Sequence, residues 1–408
     1  MKLHKLFFTL MLSLFVSIVM YTNTNAQWSS QTSGTTNDLR GVFFTDANNG
    51  TAVGQIGTIL RTTDGGTNWA PQTSGTTDDI REAFFTDANT GTVVGQNGTI
   101  LRTTDGGTNW VPQTSGSTDW LKGIFFTDAN TGTVSGNSGT ILRTINGGTT
   151  WVAQTSGTSE NLEGVFFTNT NAGIIVGQSG TILKTTDGGT NWVPQTSGIT
   201  STLFSVSFAD VNTGWAVGQD GIILKTIDGG TSWGPQTSGT LEWLLSVSFT
   251  DANTGEAVGT GGANFRTTDG GTTWISQTSG TEVLYGASFT DANTGTAVGE
   301  NGTILRMSTT TGIEDNTTKI PADFVLMQNY PNPFNPSTVI RYAVPEDASV
   351  SLIIYDALGN QILELVNGDV AAGNHEVVFD AGNFASGIYF YRLTAGSFTQ
   401  INKMLLLK

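Results

Sequence analysis

A tryptophan recurs every 41 residues along most of this 408-residue chain. Self-similarity at one fixed period means that each copy folds as the same unit and buries its apolar surface against its neighbours. This repeat constrains the fold more than any other feature of the sequence. The seven tryptophans are Trp28, Trp69, Trp110, Trp151, Trp192, Trp233 and Trp274.

Each copy contains four strand-length segments rich in Val, Ile, Phe, Trp and Thr. A pair such as Asn97-Gly98 separates the second segment from the third, and both residue types accept the positive φ of a tight hairpin. Four antiparallel strands in about 40 residues predict a β-propeller blade. In the second copy the predicted strands are Ile80–Thr86, Thr92–Gln96, Thr99–Thr104 and Asn109–Thr114.

The two ends of the array predict that it closes into a ring. Trp28 lies in a fourth-strand segment that no first three segments precede, whereas the last copy has no tryptophan strand after Thr303–Arg306. The N-terminal strand is therefore expected to complete the last blade. The fold class predicted is all-β, with a seven-bladed propeller closed by its N-terminal strand.

Composition excludes several kinds of protein. The chain has 17 basic and 33 acidic residues, a net charge of −16, which argues against a nucleic-acid partner. It has no cysteine and only two histidines, so thiol catalysis, disulfide frameworks, zinc sites built from Cys or His and His-based triads are excluded. No cofactor and no metal is indicated.

The N-terminus has the pattern of a cleaved secretory signal. Lys2 and Lys5 precede an apolar run from Leu6 to Met20, and a polar segment follows that ends in Thr24-Asn25-Ala26, with small residues where signal peptidase requires them. This run is shorter than the roughly 20 residues that span a bilayer, so no membrane-spanning segment is expected in the mature chain. The predicted division is 1–26 signal peptide, 27–307 propeller, 308–328 linker and 329–408 C-terminal domain.

The segment Thr62-Thr63-Asp64-Gly65-Gly66-Thr67-Asn68-Trp69 recurs before the fourth strand and resembles the Asp-box, or bacterial neuraminidase repeat. Its residues suit a turn, because the carboxylate accepts backbone N–H bonds and the glycines allow positive φ. Asn146 can shape such a turn but cannot act as an acid, so a structural role is predicted. The six positions are Asp64, Asp105, Asn146, Asp187, Asp228 and Asp269.

The wider pattern from Gly214 to Trp233 resembles the photosystem II assembly and stability factor propellers, and similar stretches run from Trp28 to Met307. The resemblance implies the propeller fold. Members in phototrophs are assembly chaperones without known catalysis, but the repeat also occurs in secreted bacterial proteins unrelated to photosynthesis. The resemblance therefore does not assign a function.

After Met307 the period stops, and a second domain begins near Asn329. Predicted strands such as Val350–Tyr355 and Gly387–Leu393 indicate a small immunoglobulin-like β-sandwich. The opening motif Asn329–Pro336 and the basic-apolar terminus resemble the type A C-terminal sorting domain of the type IX secretion system. This implies that the type IX machinery is a partner and that the protein is secreted or attached at the outer-membrane surface. The alternative is an immunoglobulin-like module with no sorting role.

Candidate binding residues come from the positions at which the copies differ. Eight to twelve residues after each tryptophan the sequences diverge, as in Asp78-Asp79-Ile80-Arg81, while the Leu or Ile persists. This loop enters the innermost strand, so all seven are expected on one face around the channel mouth. Aromatic and acidic side chains there could bind a ligand or pack between blades. The candidates are Trp120, Phe204, Trp243, Tyr285, Asp79, Asp119 and Glu242.

A second candidate is a basic ring with one cation per copy on the third strand. It could bind anionic groups, or each cation could pair with an acid of its blade and cover the sheet with its alkyl stem. The seven residues are Arg61, Arg102, Arg143, Lys184, Lys225, Arg266 and Arg306.

The function predicted is an exported, non-catalytic propeller that binds a protein or glycan on one face. The alternative is a secreted glycoside hydrolase, since Asp-box propellers include sialidases and xyloglucan hydrolases. A sialidase needs an arginine cluster and a tyrosine nucleophile, whereas here the cations occupy equivalent positions. Blades of 41 residues also leave little loop from which to build a cleft.

Overall fold

The structure is a computed structural model that describes residues 27–277, 279–308, 323–329, 332 and 334–407. The predicted signal peptide and most of the predicted linker lie outside the described residues. The chain divides between Thr309 and Thr310 into two compact units.

Within the described residues, the first unit contains 28 strands in seven antiparallel sheets of four. In chain order they are β1 Gln27–Gln31, β2 Leu39–Phe44, β3 Gly50–Gly54, β4 Ile59–Thr62, β5 Ala70–Gln72, β6 Ile80–Phe85, β7 Gly91–Gly95, β8 Ile100–Thr103, β9 Val111–Pro112, β10 Leu121–Phe126, β11 Gly132–Gly136, β12 Ile141–Thr144, β13 Val152–Gln154, β14 Leu162–Phe167, β15 Gly173–Gly177, β16 Ile182–Thr185, β17 Val193–Gln195, β18 Leu203–Phe208, β19 Gly214–Gly218, β20 Ile223–Thr226, β21 Gly234–Gln236, β22 Leu244–Phe249, β23 Gly255–Gly259, β24 Asn264–Thr267, β25 Ile275–Ser276, β26 Leu284–Asp291, β27 Thr294–Gly299 and β28 Ile304–Ser308.

Each sheet is one propeller blade. Blade 1 is β2-β3-β4-β5, and blades 2 to 6 continue in the same order up to β25. Blade 7 is β26-β27-β28-β1, with Trp28 opposite Met307, so the predicted N-terminal strand closure is confirmed. The innermost strand β2 contacts both β6 and β26, which completes the ring.

The fourth strand is shorter than the sequence predicted. In blade 2 it covers only Val111–Pro112 instead of Asn109–Thr114. The physical reason is the preceding turn, because the backbone N–H of Asn109 donates to the Asp105 carboxylate at 2.9 Å and is not available to a strand partner.

The second strand passes to the third through a tight turn with positive φ. Asn97 has φ 54° and Gly98 has φ 70°, as the hairpin prediction required. A short 3-10 turn occupies this position in blades 2 to 7: Gln96–Gly98, Asn137–Gly139, Gln178–Gly180, Gln219–Gly221, Thr260–Gly262 and Glu300–Gly302.

The core lies between neighbouring blades. The first residue of each innermost strand is fully buried: Leu39, Ile80, Leu121, Leu162, Leu203, Leu244 and Leu284. Trp110 packs edge-on against Phe85, with ring centroids 6.1 Å apart, and its indole N–H donates to Gln72 of blade 1 at 3.1 Å. The Gln72 amide in turn donates to the Gly106 carbonyl at 3.1 Å. This contact fastens one blade to the Asp-box of the next.

The Asp-box residues lie in the turns between third and fourth strands. The Asp105 carboxylate accepts hydrogen bonds from Thr103 at 2.8 Å and from the Asn109 side chain at 2.7 Å. These bonds, that from the Asn109 side chain first, hold the pKa of Asp105 below its ordinary value. Asn146 accepts the equivalent bond from the backbone of Thr150 at 3.0 Å, which is the geometry of a turn.

The second unit is a two-sheet β-sandwich. Its described strands are β29 Val325–Leu326, β30 Ser337–Val344, β31 Ala348–Tyr355, β32 Gln361–Val370, β33 Gly373–Asp380, β34 Gly387–Ala395 and β35 Phe398–Leu406. The sheets are β29-β30-β33 and β32-β31-β34-β35, and the core between them includes the buried Leu352, Phe379 and Tyr391. In the opening motif, Phe334 is buried and its backbone bonds to Leu405 and Leu407, which ties the motif to the last strand.

Candidate binding site at the channel mouth

The residue after each buried Leu or Ile points toward the central channel, because side chains alternate along a strand. These seven side chains line a cavity of about 590 Å³ at the end of the channel, and we call this cavity the channel mouth. Six residue types occupy the seven positions. In blade order they are Arg40, Arg81, Lys122, Glu163, Phe204, Leu245 and Tyr285.

One side of the channel mouth, formed by blades 1 to 4, is charged. Arg40 pairs with Asp38 at 3.2 Å, and Lys122 pairs with Glu163 of the next blade at 2.6 Å. Arg81 lies between the two pairs in blade order and has neither a hydrogen bond nor an ion pair to the described residues. Burial lowers the pKa of Arg81, while the nearby Glu82 and Glu163 oppose that shift.

The other side, formed by blades 5 to 7, is mainly apolar and aromatic, with the polar residues Thr202, Gln219 and Thr260 at its edge. Phe204 and Trp243 stack with ring centroids 5.8 Å apart, and Trp243 is 43% exposed. Leu245 and Val283 complete this surface. Tyr285 joins the two sides, because the Arg40 guanidinium lies 4.1 Å from the centre of its ring.

The structure brings the four predicted aromatic residues together at the channel mouth, with Trp120 on the charged side. It does not bring the three predicted acids there. The Asp79 carboxylate accepts the backbone N–H of Ile56 in the neighbouring blade at 2.9 Å, and Asp119 accepts the hydroxyl of Thr140 at 2.6 Å. Glu242 accepts the hydroxyl of Thr260. These three carboxylates form hydrogen bonds between the loop before the innermost strand and the turn after the second strand, and they are not among the residues that line the cavity.

Sequence reasoning missed the charged residues of the channel mouth, and Arg81 above all. The available signal was the residue after the persistent Leu or Ile, which varies between copies and belongs to the channel-facing side of the strand. Below the mouth the channel continues as a smaller cavity with a volume of about 260 Å³. Glu82 lines this part, and burial raises its pKa to about 7.

The basic ring lies elsewhere, because the turns that its members contact are on the opposite face. Arg102 donates to Thr92 at 3.1 Å and to the Ala129 carbonyl of blade 3 at 2.8 Å, and its guanidinium lies 5.5 Å from the centre of the Phe126 ring. The expectation that each cation pairs with an acid is wrong for six of the seven, which bond to hydroxyls and carbonyls of the described chain. Arg266 is the exception and pairs with Glu256 at 3.2 Å.

Comparison with known proteins agrees with this geometry. The profile of the photosynthesis system II assembly factor YCF48 family matches residues 20–112, 116–194 and 154–239, which together exceed half of the chain. The chain belongs to this family. A second profile, the secretion system C-terminal sorting domain, matches residues 328–407, so the YCF48-family propeller is fused to a sorting domain.

Solved structures support the same fold. YCF48 from Cyanidioschyzon merolae is 23% identical with a TM-score of 0.59, over 69% of this chain and 99% of that one. A YCF48 bound to D1 peptide is also 23% identical, with a TM-score of 0.60, over 69% and 94%. These likenesses establish the propeller fold alone.

PorZ, an essential bacterial surface component of the type-IX secretion system of Porphyromonas gingivalis, is 12% identical with a TM-score of 0.54. The match covers 91% of this chain and 60% of PorZ. No functionally curated protein matches the sequence. Among the described residues, none of the helices has the length and apolar character to cross a membrane.

Proposed function

We propose that this protein is an exported, non-catalytic β-propeller that binds a protein or glycan at the channel mouth. The observation that carries the proposal is the contrast between two adjacent positions of one strand. The buried position is Leu or Ile in all seven blades, whereas the next position, which faces the mouth, holds six residue types. Packing accounts for the uniform position, and a ligand accounts for the varied one.

Two further observations support binding at this face. The YCF48 relative bound to D1 peptide is a propeller of the same family that takes a peptide ligand. The channel mouth also combines aromatic surface with a few polar groups, which is typical of ligand sites.

Hydrolysis of a glycoside is the less supported alternative. It requires two carboxylates that flank one bond. Among the described residues that line the channel mouth, Glu163 is the one carboxylate, and it is paired with Lys122 at 2.6 Å. We therefore assign no catalytic residue.

The experiment compares a double variant with a matched control on glycan and peptide arrays, using the mature chain 27–408. Trp120→Ala with Trp243→Ala removes aromatic surface at the mouth and is expected to abolish binding while the melting temperature changes little. Ile145→Ala with Ile227→Ala is the control, because both isoleucines are 74% exposed in the Asp-box turns of the opposite face. Normal binding by the tryptophan variant, or unfolding like a core mutant, would contradict the proposal.

We also propose that the sorting domain delivers the propeller across the outer membrane through the type IX machinery, to the surface or the medium. The family match of residues 328–407 supports this destination. A chain that lacks Asn329–Lys408 is expected to stay in the periplasm of its host, and a chain that lacks residues 310–316 is the control. Unchanged surface and medium levels of the truncated chain would remove the assigned role of the tail.

A further inference from the structure

This inference rests on the proposed function and names the chemistry of the ligand. The channel mouth has three cations, and two of them have an acid as a partner: Arg40 has Asp38, and Lys122 has Glu163. Arg81 has no hydrogen bond and no ion pair within the described part of the chain, although its side chain lines both the mouth and the channel below. Its five N–H donors are therefore free to face a ligand.

The Arg81 side chain is partly buried, and the nearby Glu82 and Glu163 stabilise its charge without a hydrogen bond or an ion pair to it in the described chain. A guanidinium in this state gains free energy when an anion bonds to its N–H groups. The other cations of this propeller each have a hydrogen-bond or ion-pair partner. Arg102, for example, donates to a hydroxyl and to a carbonyl of the next blade. Arg81 thus differs from the framework arginines in the way that a ligand-binding arginine should, since a guanidinium binds a carboxylate through two parallel hydrogen bonds.

The apolar side of the mouth restricts what such an anion can be attached to. Phe204, Trp243, Leu245 and Val283 line this side without a charged group. The polar residues beside them, Thr202, Gln219 and Thr260, already bond within their own loops. A sugar acid carries hydroxyls around its ring, and against Leu245 and Val283 those hydroxyls would lose their hydrogen bonds to water. A bulky apolar side chain would instead gain free energy there by leaving water.

We propose that the channel mouth binds a peptide that presents a carboxylate beside a bulky apolar side chain. The carboxylate binds the Arg81 guanidinium, and the apolar side chain packs against Phe204 and Trp243. The carboxylate can come from the C-terminus of the peptide or from an Asp or Glu side chain next to the apolar residue.

The test uses the mature chain 27–408 and a peptide array. The probes are N-acetylated hexapeptides, and across the array each of the last two positions is varied through all twenty amino acids. Every sequence is made both as the free acid and as the C-terminal amide. We expect the strongest binding from free acids that end in aromatic or large aliphatic residues. A C-terminal source predicts at least tenfold weaker binding of every amide, whereas a side-chain source predicts that amides with Asp or Glu beside an apolar residue keep their binding.

Arg81→Gln is expected to weaken the binding of these probes at least tenfold and to remove the difference between acid and amide. Arg341→Gln is the control, because Arg341 is an exposed cation of the sorting domain paired with Glu376. If Arg81→Gln does not fold, the array on the unaltered chain decides the question, because amides that lack Asp and Glu carry no carboxylate and should bind at least tenfold more weakly than the probes that carry one.

The remaining outcomes separate this inference from the proposed function. If acids and neutral amides bind equally and the double tryptophan variant loses this binding, the ligand does not need a carboxylate. The channel mouth would then still be the binding site. If the chain binds only probes of the glycan array and the same variant loses this binding, the proposal that the ligand is a peptide would be wrong. Binding of any probe that neither Arg81→Gln nor the double tryptophan variant changes would overturn both.

Discussion

Blades 2 and 6 have the same arrangement of four antiparallel strands. They differ in how many of their buried polar groups have a hydrogen-bond partner. In blade 2, Arg102 bonds to Thr92, and Ile100 fills the core beside them. In blade 6 the residues at the positions of Thr92 and Ile100 are Glu256 and Asn264, both almost fully buried. One carboxylate oxygen of Glu256 and both amide atoms of Asn264 have no hydrogen-bond partner in the described chain.

The contact that fastens neighbouring blades also differs. In blade 2 the Gln72 side chain bonds to Trp110 and to the Gly106 carbonyl. At the equivalent place in blade 6, the Gly270 carbonyl accepts from Trp215 at 3.3 Å and from Lys225 at 2.7 Å instead. The acceptor oxygen of Gln236 and the indole N–H of Trp274 are then left without partners.

The comparison teaches that one repeat architecture tolerates polar groups in its core at a cost in free energy. Blade 6 has more such atoms than blade 2, although the described part of blade 3 also has unpaired ones, at Trp120, Ser135 and Asn137. Blade 6 packs against blade 7, which the N-terminal strand closes. Changes that remove the closure, or that give one blade the residues of another, test this view.

The largest expected effect comes from removing the closing strand. Deletion of Trp28–Gly34 exposes the edge of blade 7 and removes Trp28, which packs edge-on against Phe289 at 5.9 Å. Trp28 is partly buried against the core of blade 7, and loss of such a tryptophan together with an open strand edge is expected to cost about 3–5 kcal/mol of unfolding free energy. Urea unfolding of this deletion and of an equal deletion in the linker, residues 310–316, checks the prediction. Equal midpoints for the two would contradict a stabilising closure.

Asn264→Ile is expected to stabilise the propeller by about 2 kcal/mol, because it removes unpaired buried polar atoms and restores apolar contact. Asn264 is 1% exposed, and the six other blades have isoleucine at this position. Thermal or urea unfolding measures the gain. Ile100→Asn in blade 2 is the reciprocal control and should destabilise. A neutral result for Asn264→Ile would mean that a buried water satisfies the amide.

Much of the fold could be predicted from the sequence, because the period, the turn residues and the unpaired terminal strand each specify a local structure. The positions of the three candidate acids, Asp79, Asp119 and Glu242, could not be predicted. Asp79 bonds to the backbone of Ile56, 23 residues earlier and in another blade, and nothing in the sequence shows that the two meet. The aromatic residues of the mouth were found because they differ between copies. Arg81 was missed because an exposed cation and an unpaired cation look alike in sequence.

Glu256→Thr is expected to stabilise by about 1–2 kcal/mol near pH 8, since it gives Arg266 the hydroxyl partner that Arg102 has. Burial raises the pKa of Glu256 to about 8 from an ordinary 4.5, although Arg266 opposes the shift. The folded chain therefore holds a proton more tightly than the unfolded chain. The contribution of Glu256 to stability is complete below pH 4.5 and is lost as the pH rises to about 8. The gain from Glu256→Thr should grow over that range.

Melting temperatures of the two chains between pH 4 and pH 9 check this dependence. Glu256→Gln is the control, because it cannot titrate but still buries a polar group. It should lose the pH dependence and gain less stability than Glu256→Thr. A difference between the Thr variant and the unaltered chain that stays constant with pH would contradict the raised pKa.

The smallest expected effect concerns the hairpin of blade 1. Ile56 has φ 53° and is 61% exposed, whereas blade 2 has Asn97 in the same turn with φ 54°. A β-branched residue is strained in this conformation by roughly 1–2 kcal/mol, and asparagine tolerates it. Ile56→Asn should therefore stabilise by about 1 kcal/mol, measured by urea unfolding. Asn97→Ile should cost more than that, because Asn97 also bonds to Asp78 at 2.8 Å. If Ile56→Asn destabilises instead, the apolar contacts of Ile56 exceed its backbone strain, and blade 1 then departs from blade 2 without a cost.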